Sequence, residues 1–250
     1  MVLHVNRDYV LMESGEDVMR KLGLVGGMGP ESTIPYYHGI IYGVQRALGK
    51  PVFPELTIES VNLFEILRLC QEKRHDELVE RLLGAIDNLA KSGAEFAALS
   101  ANTPHIVFDK LQARSPIPLI SIVEAACEEA GCRGLRKIGL LGTIFTMTGD
   151  FFKAPFIKSG IQVVVPQESE LSRISDRITK ELELGVVRDE TLAYFQQVIA
   201  GMQVEDGIEA IVLGCTELPL VLNDEVSPVP CLDSMQIHIN AIVREILRDE

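Results

Sequence analysis

The residues best placed to do chemistry lie in Ile-Val-Leu-Gly-Cys-Thr-Glu-Leu, Ile211 to Leu218, where an apolar run stops at Gly214 and gives way to Cys215, Thr216 and Glu217. A buried parallel strand has this pattern when its C-terminal end opens into a site, and open α/β sheets hold ligands at such ends. A thiol there is a candidate acid/base. The alternative is a cysteine that packs as a small hydrophobe. A second strand end, Glu95 to Ser100, runs into Ala101-Asn102-Thr103-Pro104-His105. A third, Lys21 to Val25, runs into Gly26-Gly27-Met28-Gly29-Pro30. Pro30 suits a first helical position and Glu31 a first turn. The glycines allow a tight turn and present N–H groups at a helix N-terminus, which suits an anion. The spacing is not G-x-G-x-x-G, and the Lys-Ser/Thr of a P-loop is missing, so a ligand-free strand–helix turn is the competing reading.

These tips need elements to hold them. Strands are predicted at Lys21–Val25, Pro54–Val61, Glu95–Ser100, Ile117–Ile120, Ile161–Val165, Ile208–Leu213 and Val229–Leu232. Helices are predicted at Asn62–Gln71, Glu77–Lys91, after Ile120 through Cys132, and at Thr148–Lys158, Leu171–Leu184, Asp189–Met202 and Ser234–Leu247. Leu78, Leu82, Ile86 and Leu89 form one helical stripe. Strands alternating with helices imply parallel β/α units. Arg136-Lys137-Ile138-Gly139-Leu140-Leu141-Gly142 repeats Arg20-Lys21-Leu22-Gly23-Leu24-Val25-Gly26, and Ala101 and Cys215 follow these copies at nearly equal distances. The repeat predicts two pseudo-symmetric α/β lobes, each a roughly four-stranded parallel sheet flanked by helices, with the site in the cleft between them. The expected division is an extension at 1–18, a first lobe at 19–119 plus 233–250, and a second lobe at 120–232.

With 250 residues, 47% of them hydrophobic and 24% charged, the chain has the composition of a soluble globular protein with a substantial core. A net charge of −13 disfavours nucleic acid and anionic membranes as partners, and no apolar run reaches membrane-spanning length. Residues 1–18 carry Arg7, Glu13, Glu16 and Asp17 without a sustained apolar core, unlike a signal peptide. Cys70, Cys127, Cys132, Cys215 and Cys231 make neither a disulfide scaffold nor a structural zinc pattern. A reduced, cytoplasmic setting is expected.

Four segments in order, Gly-Gly-Met-Gly-Pro-Glu-Ser-Thr at 26–33, Ala-Asn-Thr-Pro-His at 101–105, Leu-Gly-Thr-Ile-Phe-Thr-Met at 141–147 and Gly-Cys-Thr-Glu at 214–217, resemble the aspartate/glutamate racemase family. The likeness runs from about Lys21 to the C-terminus. It implies a cofactor-independent amino-acid racemase of two α/β lobes, with no metal and no pyridoxal phosphate, commonly a homodimer. It also implies two cysteines facing each other across the substrate Cα, one thiolate removing the α-proton and the opposite thiol returning one. By the same resemblance Met28, Asn102, Thr103, Thr143, Thr146, Thr216 and Glu217 bind the substrate, although each polar residue among them also suits a turn or cap. Glu217 is a candidate partner for a substrate ammonium.

The first cysteine motif departs from the pattern, because Ala101 stands where the family has cysteine, and a methyl carries no exchangeable proton. Three accounts stay open: an engineered change; a neighbouring acid, Ser100, Thr103 or His105; or one-sided chemistry, as in the related arylmalonate decarboxylases, which keep only the second-lobe cysteine. Arg68, Lys73 and Arg74 could meet a distal carboxylate but equally suit a helix surface. A lysine of some aspartate racemases, near Gly185, is replaced by Glu183. The expected activity is isomerisation of aspartate, glutamate or a similar amino acid with Cys215 as the surviving acid/base. The alternatives are a one-cysteine decarboxylase or isomerase of a small dicarboxylate, and a small-acid binding protein without turnover.

Overall fold

The computed structural model of the chain describes residues 19–248; the extension at 1–18 and the last two residues lie outside it. The strands are β1 (Leu22–Gly26), β2 (Leu56–Ser60), β3 (Phe96–Leu99), β4 (Leu119–Ile120), β5 (Lys137–Leu141), β6 (Gln162–Val164), β7 (Ala210–Leu213) and β8 (Cys231–Asp233). They form two four-stranded sheets, ordered β2-β1-β3-β4 and β6-β5-β7-β8, and every pairing is parallel. The expected α/β architecture of two parallel sheets flanked by helices is the architecture found. Central strands β1, β3 and β7 are buried throughout. Their apolar runs reflect helices covering both faces of each sheet.

The helices are α1 (Pro30–Leu48), α2 (Leu63–Gln71), α3 (His75–Lys91), α4 (Phe108–Arg114), α5 (Ile122–Cys132), α6 (Ile144–Thr148), α7 (Asp150–Lys158), α8 (Glu168–Lys180), α9 (Asp189–Asp206) and α10 (Ser234–Ile246). The stripe Leu78, Leu82, Ile86 and Leu89 is buried on α3. The helix expected at Thr148–Lys158 is α7, which begins at Asp150; a short helix not expected from the sequence, α6, precedes it, and the two are separated at extended Gly149. A Cβ there would meet the Phe145 carbonyl at 2.6 Å, so the chain bends where a side chain cannot fit. The helix expected to reach Leu184 stops at Lys180, and a 3-10 turn, Leu182–Leu184, follows. No helix of the described residues is long and apolar enough to cross a membrane.

The repeat has a physical cause. The Lys21 N–H donates to Glu95 at 2.8 Å and its ammonium to the Ser92 carbonyl at 2.8 Å. Lys137 does the same with Glu209, at 2.9 Å, and with the Asp206 carbonyl. Each lysine therefore ties its strand to the turn that launches the neighbouring strand. Leu24 pairs with Ala98 in one sheet and Leu140 with Val212 in the other. Ser100 N–H donates to Val25 O at 3.0 Å, and Gly214 N–H to Leu141 O at 2.7 Å. Ala101 and Cys215 follow these matched pairs by the same step, so they occupy equivalent positions at the two tips.

The lobes exchange helices. α5 follows β4 but packs Ile122, Ala126 and Ala130 against Ile138, Leu140, Ala210 and Val212 of the second sheet. α10 follows β8 but packs Ile239, Ile242 and Ile246 with Leu22, Leu24 and Phe96 of the first sheet and with Tyr36, Ile40 and Val44 of α1. Gly39 and Gly43 let α1 and α10 approach closely: a Cβ at either would lie 2.9 Å from Ile239 Cδ1 or 2.8 Å from Val243 Cγ2.

Candidate active site

The tips of β1, β3, β5 and β7 open into one cavity of about 80 Å3 that is continuous with solvent. Ala101, Asn102 and Thr103 form one side of its lining, and Gly214, Cys215, Thr216 and Glu217 another, with Met28 and Thr143 beside them. Thr146 does not line it. That residue is buried beneath, its hydroxyl 3.4 Å from that of Thr143 and its methyl against Gly142 and Gly214. Its part is to seat the strand tip. Arg68, Lys73 and Arg74 also lie outside the cavity lining, and Arg74 is paired with Glu72 and Glu77.

Cys215 is buried and its thiol donates to Glu217 Oε2 at 2.8 Å. The Thr216 hydroxyl donates to the same oxygen at 2.9 Å. Burial, and then the facing Glu217 carboxylate, hold the Cys215 thiol well above its usual range, because a thiolate would sit desolvated beside a negative charge. Cys215 is therefore a protonated thiol hydrogen-bonded to Glu217. Glu183 enters the cavity from the 3-10 turn after α8. Burial, and then Glu217, raise its carboxyl to about 7.

The glycine loop has left-handed backbone at Gly27 (φ 76°) and φ 130° at Gly29. A Cβ on Gly27 would strike the Val61 carbonyl at 2.4 Å, so no other residue fits. The anion-binding expectation is met only in part here. The Gly27 N–H is already bonded to Thr33 Oγ1 at 3.0 Å. Gly29 lies close to Glu217, a Cβ there falling 3.9 Å from Oε1. The positive end of α1 thus has a carboxylate of the protein itself nearby, a favourable placement for a helix dipole.

Of the neighbours considered as substitutes for a first-lobe cysteine, Thr103 alone lines the cavity. Ser100 is fully buried, 3.4 Å from the Thr33 hydroxyl. His105 turns away: the Ala101 carbonyl, 3.0 Å distant, fixes a proton on Nδ1, and Nε2 accepts from the Ile122 N–H at 3.3 Å. Burial keeps this ring neutral, with a pKa lowered to about 4. His105 ties the first tip to the start of α5.

Sequence reasoning passed over Ser234. Its hydroxyl donates to the Leu213 carbonyl at 2.6 Å and accepts from Asn102 Nδ2 at 3.3 Å, bridging the two tips. A second internal repeat could have located it. Ser115-Pro116-Ile117-Pro118 recurs as Ser227-Pro228-Val229-Pro230. Each copy feeds an edge strand and then a helix cap, Ser121 before α5 and Asp233 before α10. Pro118 and Pro230 carbonyls accept from Ala97 and Ile211 at 2.9 Å each. Among the described residues no three His, Cys, Asp or Glu side chains gather as a metal site.

Comparison with known proteins gives consistent matches. The family model described as Asp/Glu/hydantoin racemase matches residues 25–242. A Yersinia pestis crystal structure, described provisionally as an Asp/Glu racemase, is 33% identical with a TM-score of 0.86 and covers 92% of this chain and 100% of that one. An aspartate racemase homologue from Pyrococcus horikoshii is 37% identical with a TM-score of 0.77, over 90% and 98% of the two chains. The broad specificity amino-acid racemase RacX of Bacillus subtilis is 25% identical over 217 residues, 85% of this chain and 92% of the relative.

Proposed function

We propose that this chain, which belongs to the Asp/Glu/hydantoin racemase family, is a cofactor-independent amino-acid isomerase in which Cys215 exchanges the substrate α-proton from one face. The observation that carries this reading is the Cys215 thiol bonded to Glu217 in a cavity whose other strand tip carries Ala101, Asn102 and Thr103. Burial and the Glu217 carboxylate disfavour the thiolate. An α-ammonium beside Glu217 offsets the negative charge and lowers the cost of ionising the thiol. Sγ–H passes its proton to Glu217, the thiolate takes Hα, and the carbanion is held by fixed donors on its carboxylate. Thr103 and Thr143 line the cavity, and their hydroxyls are available as those donors.

Ala101 leaves the opposite face without a thiol. Inversion then uses the Thr103 hydroxyl or cleft water as the second proton source, and is slower than removal and return on the Cys215 face. The same vacancy favours a second reading, a one-cysteine decarboxylase whose enolate product Cys215 protonates. The RacX relative, whose name states broad specificity, supports a substrate range not restricted to aspartate and glutamate. The test is incubation with single-enantiomer amino acids in deuterated water. Cα–H exchange at one face, with slower inversion, supports the proposal. Carbon dioxide release from a malonate without exchange favours the second reading. Ligand binding with neither leaves a binding protein.

A further inference from the structure

We infer that the cleft selects an amino acid whose side chain is itself positively charged, an inference that rests on the isomerase reading and deepens it. Glu31, Glu183 and Glu217 line the cavity, and among the described residues no lysine, arginine or histidine does. The Thr103 and Thr143 hydroxyls supply neutral donors to an α-carboxylate. Among the described residues no cation lines the cavity to meet a second carboxylate, so an acidic side chain would enter among carboxyl groups with no counter-ion.

Asn102 adds an independent requirement. It is 4% exposed, lines the cavity, and its buried Oδ1 has no hydrogen-bond partner. The amide orientation is fixed by its neighbour: the Ser234 hydroxyl spends its proton on the Leu213 carbonyl, so it can only accept from Asn102, which places Nδ2 there and Oδ1 elsewhere. An orphaned buried carbonyl calls for an N–H donor, and an ammonium supplies it where a carboxylate cannot. Glu31 is exposed to water, and a substrate ammonium at Cα that serves Asn102 and Glu217 leaves half-buried Glu183 for a second cation. A second cation at the end of an aliphatic stem can reach that carboxylate while the stem packs on Leu63, Ile66 and Leu67, which also line the cavity. Burial and the neighbouring Glu217 raise the proton affinity of Glu183, and a cation held beside it would favour its ionised form.

Calorimetric titration near neutral pH and low salt, with L-lysine, L-norleucine, L-glutamate and L-glutamine, isolates the charge. Lysine and norleucine share a stem and differ by the ammonium; glutamate and glutamine differ by one charge. We expect lysine to bind at least about tenfold more tightly than norleucine, a difference of about 1.4 kcal/mol, and glutamate more weakly than glutamine. Glu183→Gln should bring the lysine-to-norleucine ratio toward unity while norleucine binding persists. Glutamate binding better than glutamine, lysine binding no better than norleucine, a ratio unmoved by Glu183→Gln, or no binding by any of these amino acids overturns the inference. Parallel Cα–H exchange separates the two proposals. Lysine binding without exchange defeats the isomerase reading alone, and exchange of glutamate in preference to lysine defeats the charge inference alone.

Discussion

Replacing Ala101 with cysteine places a second thiol at the position equivalent to Cys215. The register supports this directly, because Ala98 and Val212 pair with matched residues of the two central strands and the tips follow by the same step. Ala101 is half-buried and lines the cavity, so an added sulfur projects into the cleft rather than into the core. A general acid/base contributes about 10²–10⁴-fold. A free thiol with a pKa of about 8.5 is only about one-tenth ionised one pH unit below it. The base function of the new thiol is therefore reduced about tenfold near neutral pH, which leaves a gain of roughly 10–10³-fold that grows with pH until the thiol is ionised. A misplacement of about 1 Å could remove a further 10²-fold. The assay is polarimetry from each pure enantiomer, with NMR of Cα–H exchange in deuterated water. The parent should exchange mainly one enantiomer, and Ala101→Cys should exchange both and racemise faster. If the reaction is decarboxylative, the variant should instead give a product of lower enantiomeric purity. A folded, ligand-binding variant that changes neither rate nor product chirality refutes the facing-tip model.

Further outcomes follow from the same geometry. Cys215→Ser should lower exchange by about 10²–10⁴-fold, and an unchanged rate after contaminating enzyme is excluded would remove Cys215 from the chemistry. Glu183 keeps its proton to about pH 7 when folded, against an ordinary value of 4.5. Between those values the native state binds more protons, so its contribution to stability declines as pH rises through that window; denaturant titrations of parent and Glu183→Gln should diverge there, and parallel curves would contradict it. His105 and His238 have lowered values of about 4 and about 3, chiefly from burial. Their unfolded forms bind protons first, so stability should fall as pH drops from about 6.5, and a flat unfolding midpoint across that range would count against neutral buried rings. Gly43→Val should overpack the α1–α10 contact and cost about 1–3 kcal/mol, read as a lower denaturation midpoint at unchanged m value.

The sequence by itself determined the architecture and the two tips. Doubly covered parallel strands must be apolar along their length, so β1, β3 and β7 stand out as short runs, and their ends are marked by Gly26, Ala101 and Gly214. The lysine of each repeat copy is legible because it performs the same local task twice, tying a strand to the next turn. Short helices were less legible: α6 precedes the expected helix and stops at Gly149, where a Cβ would clash with the Phe145 carbonyl. The tertiary structure alone decided which polar residues face the substrate cavity. His105 and Thr103 lie on one short turn, yet Thr103 lines the cavity while His105 is claimed by two backbone groups. Glu183 arrives from a turn remote in sequence, and its raised pKa exists because folding brings Glu217 near it in a half-buried place. Ser234 joins two tips that lie far apart along the chain. Periodicity records which face of an element is buried. It does not record which other element covers that face, and the charge and hydrogen bonding of this cleft depend on that pairing.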